Sequence, residues 1–284
     1  YRYRGMAMGL VSSGTSYGVF INSLLVPIYA PQGEWRTVWW LVGLIALGLC
    51  VLVWWVFRRG GLLGRVPSPA ARPALAEGAT PQVRLTGTRA ELMQPWVLMV
   101  WSMNFLIGFS TFPFQNYLSS YLRIELGFGV AYTAQIWATI GLVGMFAGLA
   151  VGWLSDRIGL RIAMLLVYVS VAVAALILLV QPSGYWPSIA AVLFSIAFYP
   201  IFGLIPAYVS KQASSVATAV AIFGIANVMQ GSGGMLGNYS AGLWASHSGS
   251  FAGIYGAIVM VAMVLIALTL KLPREAPEKL QQLC

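Results

Sequence analysis

Gly152-Trp-Leu-Ser-Asp156-Arg157-Ile-Gly159-Leu-Arg161 is a short polar break between two long apolar runs in the middle of the chain. Asp156 is the only acidic residue between those runs; Gly152 ends the first run, and Gly159 lies in a predicted tight turn. Because ionised side chains are costly inside the hydrocarbon layer of a membrane, this break predicts a loop at a membrane surface with one helix on each side.

The composition extends this interpretation to the whole chain. Of the 284 residues, 59% are hydrophobic and only 8% are charged, with a mean hydropathy of +0.81. In soluble domains about a quarter of all residues are charged, so the sequence predicts a polytopic membrane protein in contact with a lipid bilayer. The net charge of +9 does not indicate nucleic-acid binding, because the basic residues form no patch with interleaved aromatic side chains.

Eight apolar runs are long enough to cross a membrane as α-helices, which takes about 20 residues. They lack the alternation of β-strands, and a barrel strand would be about half as long. The predicted fold class is therefore an all-α, polytopic membrane protein with eight transmembrane helices. The seventh run is long enough to be tilted or to end near Tyr239. The predicted spans are Gly5–Tyr29, Thr37–Phe57, Pro95–Leu122, Ala131–Trp153, Ile162–Val180, Trp186–Val209, Ser214–Trp244 and Phe251–Leu272.

A segment rich in Pro, Ala, Gly and Arg, residues 58–94, separates the second run from the third and is predicted to be a cytoplasmic linker. It divides the chain into a two-helix part, residues 1–57, and a six-helix bundle, residues 95–272, which a cytoplasmic tail follows at residues 273–284. The chain begins at Tyr1 in the middle of a pattern, so we interpret it as a fragment whose N-terminal part is missing.

The basic residues predict the orientation in the membrane. With Tyr1 on the cytoplasmic side, fourteen Lys and Arg residues are cytoplasmic and only two, Arg36 and Arg123, lie on the opposite side. Because cytoplasmic loops carry the excess of Lys and Arg, we expect a multi-pass protein of the cell inner (plasma) membrane with both ends of the chain cytoplasmic. Two isolated cysteines, Cys50 and Cys284, indicate neither a disulfide framework nor a metal site, and no cofactor is predicted.

Glycines form a stripe on the predicted fourth helix. Gly141, Gly144, Gly148 and Gly152 recur at spacings of three, four and four, which places them on one helix face. Asp156 follows one turn later. There its carboxylate could accept hydrogen bonds from the open N–H groups at the start of a neighbouring helix.

A weak internal repeat relates the first and seventh runs. Both contain Ser-Gly-x-x-x-Gly, with Gly14 and Gly18 in the first run and Gly233 and Gly237 in the seventh. Small residues four apart share one face and let helix backbones approach closely. These four glycines are therefore predicted helix-packing sites.

The opening stretch, with its two glycines, its Asp and its two Arg, resembles the loop signature of the major facilitator superfamily, except that Ile162 stands where a basic residue is common. The first and seventh runs resemble the glycine-rich fifth and eleventh helices of that family. The resemblance implies helices five to twelve of a twelve-helix transporter, with the missing N-terminal helices as partners. It also implies that Asp156 contacts Arg4 or the start of the first helix, and that this contact latches the cytoplasmic side.

Two further patterns, Arg4-Gly5-x-Ala7-x-Gly9 and Gly33-x-Trp35-Arg36, resemble bacterial members near the oxalate/formate and monocarboxylate-type exchangers. In the family that the chain resembles, the third, fourth, sixth and seventh helices of this chain would contribute to a central cavity. The resemblance therefore gives the following candidates for substrate contacts and aromatic walls: Gln115, Gln135, Trp137, Tyr199, Asn227 and Gln230. Each polar candidate could instead make an ordinary interhelical hydrogen bond, worth about 0.6 kcal/mol.

The residues and the resemblance together favour a secondary active transporter that carries a small solute by alternating access. A non-transporting membrane receptor or scaffold on the same fold is the alternative. An enzyme is not predicted, because the spans contain no paired acids and the single histidine, His247, lies in a predicted loop.

Overall fold

Eight α-helices and no β-strand make up the part of the chain that this computed structural model describes, residues 10, 12–59 and 91–273. The predicted all-α, polytopic fold class is thereby confirmed. Several predictions lie outside the described residues, namely the beginning of the first helix at Gly5, the contact of Arg4, most of the linker and most of the tail.

Each predicted run coincides with one helix, although most helices begin or end a few residues away from the predicted bounds. A 3-10 turn, Ala30–Gln32, follows α1, and a π-helical turn, Tyr121–Glu125, follows α3. The helices are α1 Gly14–Tyr29, α2 Trp35–Arg59, α3 Pro95–Ser120, α4 Val130–Ile158, α5 Leu160–Leu179, α6 Trp186–Gln212, α7 Val216–Ser248 and α8 Ala252–Lys271.

Seven of the eight helices, α2 to α8, are long and apolar enough to cross a membrane. As described, α1 has 16 residues. Helix α7 is one continuous helix of 33 residues, so the alternative of an end near Tyr239 is wrong. Its first turn is capped by Ser215, whose side chain accepts a hydrogen bond from the Thr218 N–H at 3.1 Å.

The chain divides into two compact units, Tyr1–Leu24 with Ala90–Cys284, and Leu25–Arg89. In the second unit, Val38 is the only buried residue of α2. The guanidinium groups of Arg58 and Arg59 lie over the rings of Trp54 and Trp55 at the end of that helix. Such Arg and Trp pairs are typical of the membrane–water interface. The domain bounds predicted from the sequence stay predictions.

In the first unit, α3 packs along α7, α4 packs along α6, and α5 packs along both α6 and α8. Aromatic rings fill the space between α3, α6 and α8. Phe114 stacks on Phe194 with ring centroids 3.9 Å apart, and Tyr255 meets both Phe114 and Tyr121 at 5.4 and 4.9 Å. Since lipid supplies no hydrophobic driving force between helices, close packing of this kind is what holds the six helices together.

Candidate functional site

The polar loop motif forms the junction of α4 and α5. Asp156 is half-buried in the last turn of α4. Gly159 follows with φ of 90°, and its N–H donates to the Ser155 carbonyl oxygen at 2.9 Å. Residues with a Cβ atom rarely adopt this φ. The backbone conformation of the turn therefore explains why glycine stands at this position.

The two arginines of the motif have different contacts. Arg157 is exposed, and its guanidinium lies over the Trp153 ring, 3.8 Å from the ring centroid. Arg161 donates through Nε to the Thr269 carbonyl oxygen at 3.0 Å and through an amino group to the Leu270 carbonyl oxygen. These carbonyls end α8, where a cation is favoured by the helix dipole. The sequence did not reveal this role, which ties α5 to α8.

The glycine stripe of α4 lies where other helices come close. A Cβ atom on Gly141 would lie 2.6 Å from the Phe20 nitrogen of α1, and one on Gly144 would lie 2.9 Å from Ser16 Cβ and would overlap the Tyr199 ring. The structure therefore brings α1 and α6 against the stripe. The remaining two glycines of the stripe, Gly148 and Gly152, are buried.

The two copies of the glycine repeat differ. Cβ atoms on Gly233 and Gly237 of α7 would overlap the carbonyl oxygens of Phe105 and Phe109 on α3. These two helices therefore meet backbone to backbone. By contrast, no described atom lies within 4 Å of a Cβ built on the α1 glycines, Gly14 and Gly18.

The two aromatic candidates pack against neighbouring helices. Tyr199 of α6 is only 1% exposed and lies against Gly144. Trp137 of α4 is half-buried, and its Nε1–H donates to Ser119 Oγ of α3 at 2.8 Å. Both residues thus connect helices within the first unit, and Tyr199 borders no open space in this structure.

The amide candidates are spread over three helices. Gln115 of α3 is half-buried, Gln135 of α4 is exposed, and Asn227 of α7 is exposed with its Nδ2 donating to the Phe223 carbonyl oxygen at 3.0 Å. Gln230 differs, because the residue is only 6% exposed and its side-chain amide has no hydrogen-bond partner among the described residues, yet that amide is not among the fully buried polar atoms without a partner, which are the hydroxyls of Tyr168 and Tyr255.

One amide pair was not among the predicted candidates. Asn116 Nδ2 of α3 donates to Asn238 Oδ1 of α7 at 3.0 Å, and the Tyr117 hydroxyl donates to the Asn238 carbonyl oxygen at 3.1 Å. A signal was present in the sequence. Asn238 lies eleven residues after Asn227, a spacing that returns to nearly the same face of a helix.

Two carboxylates outside the eight long helices were also missed. Glu125 accepts hydrogen bonds from the Gln181 side chain at 3.1 Å, from the Ser250 hydroxyl at 2.7 Å and from the Phe251 N–H. Glu91 accepts from the backbone N–H of Ser214 at 2.9 Å and from its hydroxyl. Each carboxylate joins segments that lie far apart in the sequence, which no local pattern predicts.

A cavity of about 420 Å³ lies between α3, α7 and α8. Its two serine hydroxyls, on Ser110 and Ser240, donate to carbonyl oxygens of their own helices. The remaining wall is almost wholly apolar, so this cavity offers little to recognise a polar solute. It is lined by Phe109, Ser110, Pro113, Gly237, Ser240, Ala241, Trp244, Gly253, Ile254, Ala257, Ile258 and Val261.

In the part of the chain that the structure describes, seven apolar helices of membrane-spanning length define a multi-pass α-helical membrane protein. A family model described as the Major Facilitator Superfamily matches residues 2–237. The chain therefore belongs to the major facilitator superfamily, a family of membrane transporters. A comparison with characterised proteins gives no match.

Proposed function

We propose that the chain works as a secondary active transporter that carries a small solute by alternating access between two helical bundles. Membership of a transporter family supports this proposal. The observation in the structure that carries it is Gln230, a largely buried residue near the middle of a membrane-spanning helix, whose side-chain amide has no hydrogen-bond partner among the described residues and is not fully enclosed by them.

Gln230 is the fifteenth of the 33 residues of α7, which places it near the middle of the span. A solute with a polar group could form a hydrogen bond with this amide, whose donors and acceptor no described residue occupies. Polar groups at this depth in a membrane protein are typical of solute pathways.

In our proposal, the other predicted contact residues line the same solute pathway as Gln230. Asn227 lies about one turn before Gln230, and its Oδ1 accepts no hydrogen bond from any described residue. Gln115 and Gln135 add amides from α3 and α4. Trp137 would hold α4 beside α3 through its hydrogen bond to Ser119.

The proposed cytoplasmic latch is the contact of Asp156 with the start of the first helix. Its support is the packing of α1, through Ser16 and Phe20, onto the same α4 stripe that leads to Asp156. A carboxylate at that position would be stabilised by the N-terminal end of the helix dipole. Arg4, the predicted partner, lies outside the described residues.

Two further parts of the proposal concern the whole protein. By the resemblance of its glycine-rich helices, the chain would supply helices five to twelve of the family fold. The uneven distribution of Lys and Arg supports an inner-membrane location with both ends of the chain in the cytoplasm.

The test is solute uptake by proteoliposomes that contain the complete protein. The solutes are chosen to match the resemblance to carboxylate exchangers and the neutral amide side chains of the candidate contacts. They are formate, oxalate, lactate, glycerol and lactamide, each radiolabelled. We expect uptake of at least one of them, and Gln230→Ala should reduce that uptake at least about tenfold, the worth of one or two hydrogen bonds. The control is Asn22→Ala, which removes an exposed amide from α1.

Two outcomes would contradict the proposal. Saturable binding of a solute without any flux would instead favour the receptor alternative. Uptake that Gln230→Ala and Asn22→Ala reduce equally would show that the Gln230 amide does not contact the solute.

A further inference from the structure

The Asn116–Asn238 pair leaves hydrogen-bonding groups unused. Its one bond, 3.0 Å long, occupies a donor of Asn116 and the acceptor of Asn238. Asn116 Oδ1 and Asn238 Nδ2 then have no partner among the described residues. One free acceptor and one free donor, held on neighbouring helices by a mutual bond, form a complementary pair for a ligand.

Close contacts between α3 and α7 hold the backbone that carries the two amides. The Tyr117 hydroxyl donates to the Asn238 carbonyl oxygen at 3.1 Å. Gly237, the residue before Asn238, meets the Phe109 backbone closely enough to exclude a Cβ. Since close backbone packing restricts both helices, the two amides keep their relative position, as a recognition site requires.

The pair lies at the end of an open face of α7. Asn227, Gly231 and Asn238 share this face by their spacings of four and seven residues. No described atom lies within 4 Å of a Cβ built on Gly231. Amide groups facing hydrocarbon would be unsatisfied at a cost of several kcal/mol each. The face is therefore suited to contact with water or a solute.

The chemistry of this face selects an uncharged ligand. Neither α3 nor α7 contains Asp, Glu, Lys or Arg, so neither helix offers a counter-charge to an ionic solute. An unpaired charge at this depth is costly. A carboxylate would also place its acceptor oxygens beside Asn116 Oδ1, because a carboxylate has no donor to offer.

From this geometry we propose that Asn116 and Asn238 form a recognition site for an uncharged solute that presents an adjacent donor and acceptor, such as a primary carboxamide. The ligand N–H donates to Asn116 Oδ1, and its carbonyl oxygen accepts from Asn238 Nδ2. This inference rests on the proposed transport function and specifies the substrate class of the same pathway.

The probes for the test are lactamide and lactate, which have the same shape and differ in having a neutral amide or a carboxylate. The complete protein in proteoliposomes should take up lactamide at least about tenfold faster than lactate at equal concentration. Asn116→Ala and Asn238→Ala should each lower lactamide uptake about tenfold. The double variant should be little worse than the single ones, because the two residues act as one unit. Asn22→Ala again serves as the control.

Binding is measured in parallel as the upward shift of the thermal unfolding midpoint by lactamide in detergent, and the midpoint without ligand reports whether each variant is folded. Faster uptake of lactate than of lactamide by the unaltered protein would overturn the inference without any variant. It would equally be overturned if lactamide were neither bound nor taken up. Lactamide uptake that only Gln230→Ala lowers would overturn the inference and leave the proposed function standing. Binding of lactamide that depends on Asn116 and Asn238 but produces no flux would overturn the transport function alone.

Discussion

At the scale of single residues, the carboxylates of Glu125 and Glu91 connect backbone segments that lie far apart in the sequence. Glu125 is the clearer case, because its carboxylate joins the end of the α3 span to the α5–α6 and α7–α8 connections. Hydrogen bonds to a charged group are stronger than neutral ones. One side chain therefore holds three connections at the same end of the six-helix bundle.

We predict that Glu125→Ala lowers the free energy of unfolding by about 1–3 kcal/mol, through loss of charged hydrogen bonds. Hydrogen exchange at the Phe251 amide should also become faster, because that N–H loses its acceptor. Glu125→Gln should have a smaller effect, since its carbonyl oxygen still accepts. The measurements are chemical denaturation and hydrogen exchange of the purified protein.

The control is Glu34→Ala, whose carboxylate accepts only from the nearby Thr37 hydroxyl among the described contacts, at 2.8 Å. An unchanged exchange rate at Phe251 in Glu125→Ala would show that the loop is held by other contacts.

At the scale of helices, the lengths of the apolar runs predicted all eight helices, but several predicted helix ends differ from the observed ones. Helix α7 continues to Ser248, and the hydroxyls of Ser246 and Ser248 donate back to the Leu243 and Trp244 carbonyl oxygens, so these polar side chains are satisfied inside the helix. Helix α4 likewise runs through Asp156 to Ile158. A search for apolar runs stops at such polar residues although the backbone does not.

The candidate site was less predictable than the helices. Glycine spacing indicated close-packing faces, and the structure places neighbours against Gly144 and Gly233 but no described atom near Gly14 and Gly18. Which amides meet across two helices depends on helix rotation and register, neither of which spacing within one helix determines. The Asn116–Asn238 pair was missed for this reason.

A matched pair of glycines on α7 tests the packing. Gly233→Ala would place a Cβ onto the Phe105 carbonyl oxygen, whereas Gly231→Ala meets no described atom within 4 Å. We expect Gly233→Ala to lower the free energy of unfolding by about 1–3 kcal/mol through overpacking. Gly231→Ala should be neutral or stabilising by up to about 1 kcal/mol, since alanine favours helix.

Equilibrium denaturation in one detergent compares the two variants under identical conditions. Equal stability of both would mean that α3 and α7 can separate at no cost at this level of the membrane. The close contact of α3 and α7 would then not be a fixed interface.

At the scale of the whole molecule, alternating access requires the cytoplasmic side to have two states of similar free energy. Within the first unit, the small residues of the α4 stripe let α1 come close without interlocking side chains. Smooth contacts of this kind can separate and reform. A polar contact at the end of the stripe would then bias the two states.

We therefore predict that Asp156→Asn shifts the conformational populations, because the neutral amide loses most of the attraction to a helix N-terminus. The reporter is a cysteine at Val228, an exposed position of α7, in a protein whose own cysteines, Cys50 and Cys284, are both replaced by serine. Its rate of reaction with a membrane-impermeant maleimide should change at least about fivefold, the lower end of typical coupling energies. Glu34→Gln is the control for a lost carboxylate elsewhere. If Asp156→Asn leaves both the labelling rate and solute uptake at the control values, the carboxylate is an ordinary turn residue and the latch proposal is wrong.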